Sequence, residues 1–315
     1  MRVEVEVCIA LVADLLIGDP RWLPHPVRWI GNFALRIEAP LRRIIRAPRL
    51  AGIMAALCVL LVTGGCAYGA ITLAGLVALW LRDLVSILIL YYCFAARDLA
   101  HHASDVYEAL IADDLAEARS RVARIVGRDT DSLDEHGVVR AAVESVAENT
   151  VDGVTAPLFF ALLLGPIGAI VYKAISTLDS TFGYKNERYL HFGWASARID
   201  DCAAWLPARL TLPVMTIAAS LSRLSPSGAW RIGLRDARKH ASPNSGFSEA
   251  AAAGALRVQL GGPLLRHGRP VMAPLLGDDL VPLRREHIVE VIRLMLVTEI
   301  IFAAMLALLR IMLVN

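Results

Sequence analysis

Lysine is almost missing. Lys173, Lys185 and Lys239 are the only three in 315 residues, although Lys and Arg together number 32. The cationic side chains are therefore nearly all guanidinium forks, and each compact, rotatable ammonium stands out. Cysteine is scarce as well. Cys8, Cys58, Cys66 and Cys93 lie in apolar runs, Cys202 stands apart, and no CxxC occurs. No disulfide framework is implied, and the cysteines read as small buried apolar residues. A net charge of only +2 gives no argument for nucleic acid. The phosphate-loop pattern GxxxxGK[ST], GxGxxG, the GxSxG elbow and HExxH are all absent. Asp152-Gly153 is followed by Val154-Thr155 rather than by the Ala-Arg of a CDP-alcohol transferase motif. No internal repeat and no low-complexity segment occurs.

Apolar sequence is abundant. Hydrophobic residues make up 56% of the chain, where soluble domains hold about 45–50%, and the mean hydropathy is +0.53. The sequence predicts an all-α, polytopic integral membrane protein with about five to six membrane segments, one of them broken or re-entrant. It reads as a single domain over residues 1–315, with polar loops at 18–50, 97–153, 179–202 and 223–287. Residues 7–17 form an apolar run broken by Asp14. With no basic flank and no small-residue cleavage site, the run reads as a short anchor rather than a removable signal. Residues 51–81 carry no charge and exceed the roughly 20 residues of one crossing. Gly64-Gly65 is the expected break. Residues 154–178 are interrupted by Gly165-Pro166, which fits either a kinked span or a re-entrant hairpin. Seven arginines in 18–50, and ten Arg and Lys in 223–287, mark cytoplasmic flanks. The prolines of GDPRWLPHPVRWIG (18–31) put that stretch outside regular helix, and SLDE (132–135) fits a capping box.

Three polar constellations could carry chemistry. Glu144, Glu148 and Asp152 fall at i, i+4 and i+8, about 40° apart on a continuing helix, with Asn149 beside them. Such a row of oxygens suits Mg²⁺; otherwise it is a solvated acidic face. Asp179, Lys185, Asn186, Glu187 and Arg188 follow the apolar segment around Gly183. They could grip a phosphate or carboxylate, or form an interfacial loop with snorkelling bases. Arg235, Asp236, Arg238, Lys239, His240 and Asn244 form a mixed-charge cluster, and Asp14, Asp19, Arg21 and His25 form another.

The motifs add what composition cannot. DLLIGDPRWLPHPVRWIG (14–31), YYCFAARDLA (91–100), IVGRDT (125–130) and AAVESVAENTVDGVTAPLFF (141–160) occur in order. They are followed by YKAISTLDSTFGYKNERYLHFGWASARIDD (172–201) and RDARKHASPNSGFSEAAAAGAL (235–256). With these, nearly end to end, the sequence resembles the adenosylcobinamide-phosphate synthase family (CobD/CbiB) of cobalamin biosynthesis. The resemblance implies a multi-span inner-membrane enzyme with its site on the cytoplasmic face. Such an enzyme joins adenosylcobyric acid to (R)-1-amino-2-propanol O-phosphate, or a related amino alcohol, as an amide driven by ATP. Under it, Glu144, Glu148 and Asp152 would serve Mg²⁺ and ATP, with Asn149 orienting them. Lys185 and Arg188 would hold transferring phosphate, and Asp179 or Asp200 would take the amine proton. Arg235, Lys239 and His240 would hold the amine's phosphate. Asp19, Arg21, His25, Asn186, Glu187 and Asn244 complete the expected substrate contacts. The corrinoid is too large for an enclosed pocket and calls for an open cleft, lined partly by Trp22, Trp29, Trp194 and Trp205. Implied partners are the substrates, the bilayer and, beyond these, other late cobalamin-pathway proteins or further copies of the chain. Nucleic acid is not among them. A non-catalytic relative of the AmpE signalling group and a transporter using Asp14, Arg82 and Glu299 are the rivals. No inverted repeat supports the transporter.

Overall fold

The computed structural model describes residues 1–19, 24–184, 186–266 and 268–314. Arg21, Trp22 and Lys185 therefore lie outside the described residues. In order, the elements are α1 (Val3–Ile17), α2 (Pro26–Ile44), α3 (Pro48–Val77), α4 (Leu79–Tyr91), α5 (Ala96–Ile111), α6 (Leu115–Val122) and α7 (Glu135–Asn149). A π-turn over Thr150–Thr155 leads into α8 (Ala156–Phe182), α9 (Trp194–Ala203), α10 (Trp205–Leu221), α11 (Pro226–Asp236) and α12 (Ser245–Leu256). A hairpin, β1 (Leu260–Arg266) and β2 (Arg269–Leu276), precedes α13 (Glu286–Val314). Among the described residues the regular structure is helical apart from that hairpin.

Pro48–Val77, Leu79–Ile111, Glu135–Phe182 and Glu286–Met312 are long and apolar enough to cross a membrane, and the bent pair α9–α10 would make a fifth span. The chain divides into two compact units. The first is Met1–Ala95, Ala156–Ala204 and Leu306–Asn315, and the second is Ala96–Thr155 and Trp205–Met305.

In the first unit, two readings of the sequence need revision and one open choice is decided. α2 begins at Pro26, inside the stretch expected to be irregular. Proline fits the first helical position, where its missing N–H would have no partner, and His25 Nδ1 accepts the Val27 N–H at 3.2 Å as the cap. Gly64-Gly65 does not break α3. Backbone surrounded by lipid has no other partner for its hydrogen bonds, so the chain turns only at Ala78, in extended conformation. The Gly-Pro break in α8 is a reversal. Gly165 has φ 72° and ψ −163°, a region open essentially to glycine. The Phe160 and Tyr172 rings stack at 5.0 Å, whereas twelve residues of continuous helix would part them by about 18 Å. Arg310 Nη1 caps the carbonyls of Leu162 and Leu163 at 2.5 and 3.3 Å, where the first half ends. The hairpin alternative is the one observed.

In the second unit, α7 is capped by Asp134, whose side chain accepts the Gly137 N–H at 2.7 Å. The cap is therefore Asp134, not Ser132. The basic, loop-rich stretch 223–287 contains α11, α12 and the hairpin. Gly261 (φ 86°) and Gly262 (φ 90°) form the irregularity between Leu260↔Leu276 and Gly262↔Ala273. A Cβ on Gly261 would sit 2.1 Å from the Pro274 carbonyl oxygen. Helices α11 and α12 approach through Gly228 and Gly254, where an added Cβ would meet the opposing carbonyl oxygen at 2.2 Å.

Candidate functional site

The second unit builds a buried polar cluster from five separate segments. Its frame is the loop carrying IVGRDT. The Asp129 N–H donates to the Leu265 carbonyl at 2.9 Å, Arg266 Nε donates to Gly127 O at 3.1 Å, and the Gly268 N–H donates to Asp129 Oδ2 at 2.7 Å. Pinned this way to the hairpin, the loop presents Arg128, whose Nη2 lies 2.5 Å from Glu144 Oε2. The other oxygen of Glu144 accepts the Gly261 N–H at 2.6 Å. Glycine at that bulge frees the N–H from the ladder and aims it at a buried carboxylate.

Glu249 closes the cluster. It is the one charged residue of α12, SGFSEAAAAGAL, and every residue of that helix except Phe247 is buried. Its Oε2 lies 3.3 Å from His240 Nε2. His240 Nδ1 faces the Ser242 backbone, 3.1 Å from its N–H and 3.3 Å from its carbonyl oxygen, which leaves Nε2 turned toward Glu249. Burial, then the negative charges of Glu144 and Glu148, push the Glu249 carboxyl well above its ordinary range, and Arg128 only partly opposes them.

The expected metal row does not form. Glu144 points inward to Arg128 and Gly261, whereas Glu148 is exposed. The π-turn then changes the helical repeat before Asp152, which is half-buried. Among the described residues no group of three or more His, Cys, Asp and Glu side chains could hold a metal ion. Mg²⁺ needs near-octahedral oxygens at about 2.0–2.1 Å, and these residues do not fit it as a protein-built centre. Asn149 donates to the Ser145 carbonyl at 2.9 Å and so braces its own helix.

The cations of RDARKH hold a buried carboxylate. Arg235 donates to both oxygens of Asp236 at 2.8 and 2.7 Å, Lys239 Nζ stands 2.6 Å from Oδ1, and the Gly277 N–H donates to Oδ2 at 2.9 Å. Asp236 has no exposed surface, and Arg235 and Arg231 also pair with Asp278. Burial alone would raise the Asp236 carboxyl, but these hydrogen bonds hold it far below its ordinary range. Arg235 is therefore committed to Asp236 and Asp278 rather than free for phosphate. Asn244 is buried and accepts from Arg209 at 3.4 Å. That guanidinium stacks on the Trp205 and Phe247 rings.

In the first unit, Arg188 is a structural partner. Its Nε and Nη2 donate to Glu38 at 3.1 and 2.8 Å, Arg42 Nε adds a bond at 2.9 Å, and Tyr189 OH adds one at 3.4 Å. Burial raises the Glu38 carboxyl, but the Arg188 and Arg42 hydrogen bonds outweigh it and leave it below the ordinary range. Asn186 Oδ1 caps the Tyr189 N–H at 2.9 Å, and Glu187 is exposed. Asp179 and Asp200 are half-buried, and a Cβ at Gly183 would strike Asp179 Oδ1 at 2.0 Å. Asp19 pairs with His25 at 3.5 Å, and the His25 ring meets Tyr92 edge-on. Trp29, Trp194 and Trp205 are all exposed.

Comparison with known proteins agrees with this motif set. The profile of the CobD/Cbib protein family matches residues 7–295. The chain belongs to the CobD/CbiB family. Among curated CobD/CbiB relatives, "Cobalamin biosynthesis protein CobD" of Geobacter metallireducens is 54% identical, over 88% of this chain and 87% of that one. "Cobalamin biosynthesis protein CobD" of Leptospira interrogans is 42% identical over 94% of both chains. "Cobalamin biosynthesis protein CbiB" of Salmonella typhimurium is 45% identical over 95% of both. No solved structure matches the chain. Sequence reasoning had assigned no role to Arg128, Glu249 or Glu38. Glu249 had a legible signal, a lone carboxylate inside an alanine-rich helix. Glu38 had none.

Proposed function

We propose that this CobD/CbiB protein acts in cobalamin biosynthesis. It joins the carboxylate of adenosylcobyric acid to (R)-1-amino-2-propanol O-phosphate or a related amino alcohol, giving an amide at the cost of ATP. Kinship over nearly the whole chain supports the reading. The observation that carries it at the level of residues is the buried Glu249–His240–Glu144–Arg128 cluster, assembled from family motifs.

A carboxylate does not accept an amine until it is activated. ATP supplies that activation as an acyl phosphate: a carboxylate oxygen takes the γ-phosphoryl group and ADP leaves. The amine nitrogen then forms the C–N bond, the C–O bond to phosphate breaks, and inorganic phosphate departs. Glu249 and His240 are placed to accept the proton that the ammonium must lose before it can attack. They take over the role first expected of Asp179 or Asp200. Lys239, half exposed and using one of its three N–H groups on Asp236, keeps donors for the amine's phosphate. No step is assigned to Mg²⁺.

The test is the purified, detergent-solubilised protein with adenosylcobyric acid, the amino-alcohol phosphate and ATP. The expected products are the amide, by mass, and phosphate in equal amount. Unconsumed corrinoid in the presence of all three reactants refutes the reading.

A further inference from the structure

Glu249 Oε2 is a buried carboxylate oxygen that accepts no hydrogen bond among the described residues. The Glu249 residue is 6% exposed. His240 Nε2, its near neighbour at 3.3 Å, is not aligned to donate to it. A buried acceptor left open in this way costs about 1–3 kcal/mol, and more when charged, unless a ligand fills the place. The surroundings specify the sign of that ligand. Glu144 and Glu148 add negative charge, and Arg128, which opposes them at Glu249, is already paired to Glu144. The remaining field attracts a cation. No trio of side chains converges tightly enough for a metal ion among the described residues. An ammonium asks for less: one or two open acceptors and a negative field.

We propose that the Glu249 cluster is a subsite for a primary ammonium, bound to Glu249 Oε2 with Glu144 and Glu148 supplying the field. This deepens the ligase reading and rests on it for the identity of the amine as the reacting end of the substrate. His240, beside the bound ammonium, follows Lys239 directly in the chain. An amino-alcohol phosphate thus meets acceptors at its amine end and a half-exposed cation near its phosphate end. The acids first read as a metal row would hold the amine.

The probe is free 1-amino-2-propanol, titrated calorimetrically into the full-length protein in detergent without nucleotide or corrinoid. 1,2-Propanediol, in which a hydroxyl replaces the ammonium, is the neutral control, and Mn²⁺ is titrated in parallel. The amine should bind and the diol should not. Glu249→Gln, which keeps size and polarity, should weaken the amine at least tenfold. Glu148→Gln, at an exposed position that tolerates substitution, should weaken it several-fold. Equal binding of amine and diol overturns the proposal. So does amine affinity indifferent to both variants, and so does Mn²⁺ binding that disappears in Glu249→Gln while amine binding persists. Because no turnover is measured, Glu249-dependent amine binding without amide formation would sink the ligase reading and leave the subsite standing.

Discussion

Asp236 separates a structural role from a substrate-binding role for the RDARKH segment. It is wholly buried and held by Arg235 through two bonds, by Lys239 at 2.6 Å and by the Gly277 N–H at 2.9 Å. Removing a partner from a buried ion pair costs about 3–5 kcal/mol when the remaining charge is left bare. The three side chains should therefore rank differently. Arg235→Ala takes away the bidentate partner and leaves Asp236 with one ammonium and one N–H, so it falls toward that range. Asp236→Ala leaves the Gly277 N–H unsatisfied but frees two half-exposed cations into water, and it costs about 2–3 kcal/mol by loss of charge-assisted bonds. Lys239→Ala leaves Asp236 bidentately paired, and its half-exposed ammonium is screened by solvent, so its cost stays near 0–1 kcal/mol. The assay is thermal unfolding of each variant in one detergent, read by tryptophan fluorescence. Lys239→Ala should melt close to wild type and Arg235→Ala well below it. The same substitution should raise the KM for the phosphorylated amine more than the KM for the free one. If Lys239→Ala destabilises as much as Arg235→Ala and moves both KM values equally, Lys239 belongs to the fold and its phosphate role is wrong.

Arg128→Leu leaves the buried Glu144 charge with only the Gly261 N–H, so it should cost about 3–5 kcal/mol. The double variant Arg128→Leu/Glu144→Leu should recover part of that loss in the same melts, and additive losses would deny the coupling. Glu38 is held below its ordinary value of 4.5. Its share of stability is present above pH 4.5 and lost as pH falls through the lower folded value, so Glu38→Gln should flatten the acid limb of a stability–pH curve. Glu249 has the opposite sign. Its carboxyl is raised above 4.5, so stability is full below pH 4.5 and declines as pH rises through the folded value. Glu249→Gln should accordingly melt higher than wild type at alkaline pH, and an unchanged difference across pH would contradict the burial. Gly165→Ala forces φ 72° on an alanine and should lose about 1–3 kcal/mol, whereas Gly65→Ala, with open space around its Cβ position, should lose little.

The helical membrane class was legible because long uncharged runs leave lipid-exposed backbone no other solution. The reversal at Gly165 was half legible. Gly-Pro announces a break, but the angle depends on φ at one residue and on what packs across it, here Phe160 against Tyr172. Gly64-Gly65 misled because glycine permits a break without requiring one. The acids of α7 were found, but the metal row expected of them does not form. The spacing of Glu144 and Glu148 says that they share a face. It does not say that Arg128 and the Gly261 N–H wait for one of them. The basic clusters failed in the same direction. Arg188 looked free because its counter-charge, Glu38, is separated from it by a long stretch of chain, and Arg235 looked free because nothing in the sequence says that its neighbour Asp236 is buried and turned toward it.

Sequence proximity does not show which cations and carboxylates in this chain are already paired, whereas residual valence can be read from the structure. Arg188 and Arg235 direct their guanidinium donors at carboxylates already present, so a phosphate would have to displace an internal partner. Lys239 has donors to spare, and Glu249 Oε2 has an acceptor site left over inside the protein. A buried group with unused valence is costly to keep unless something binds there. The proposed substrate, with an ammonium at one end and a phosphate at the other, needs one open acceptor and one open donor. On that proposal Glu249 and Lys239 of the second unit supply them, and His240 stands next to Lys239 in sequence and beside Glu249 in space.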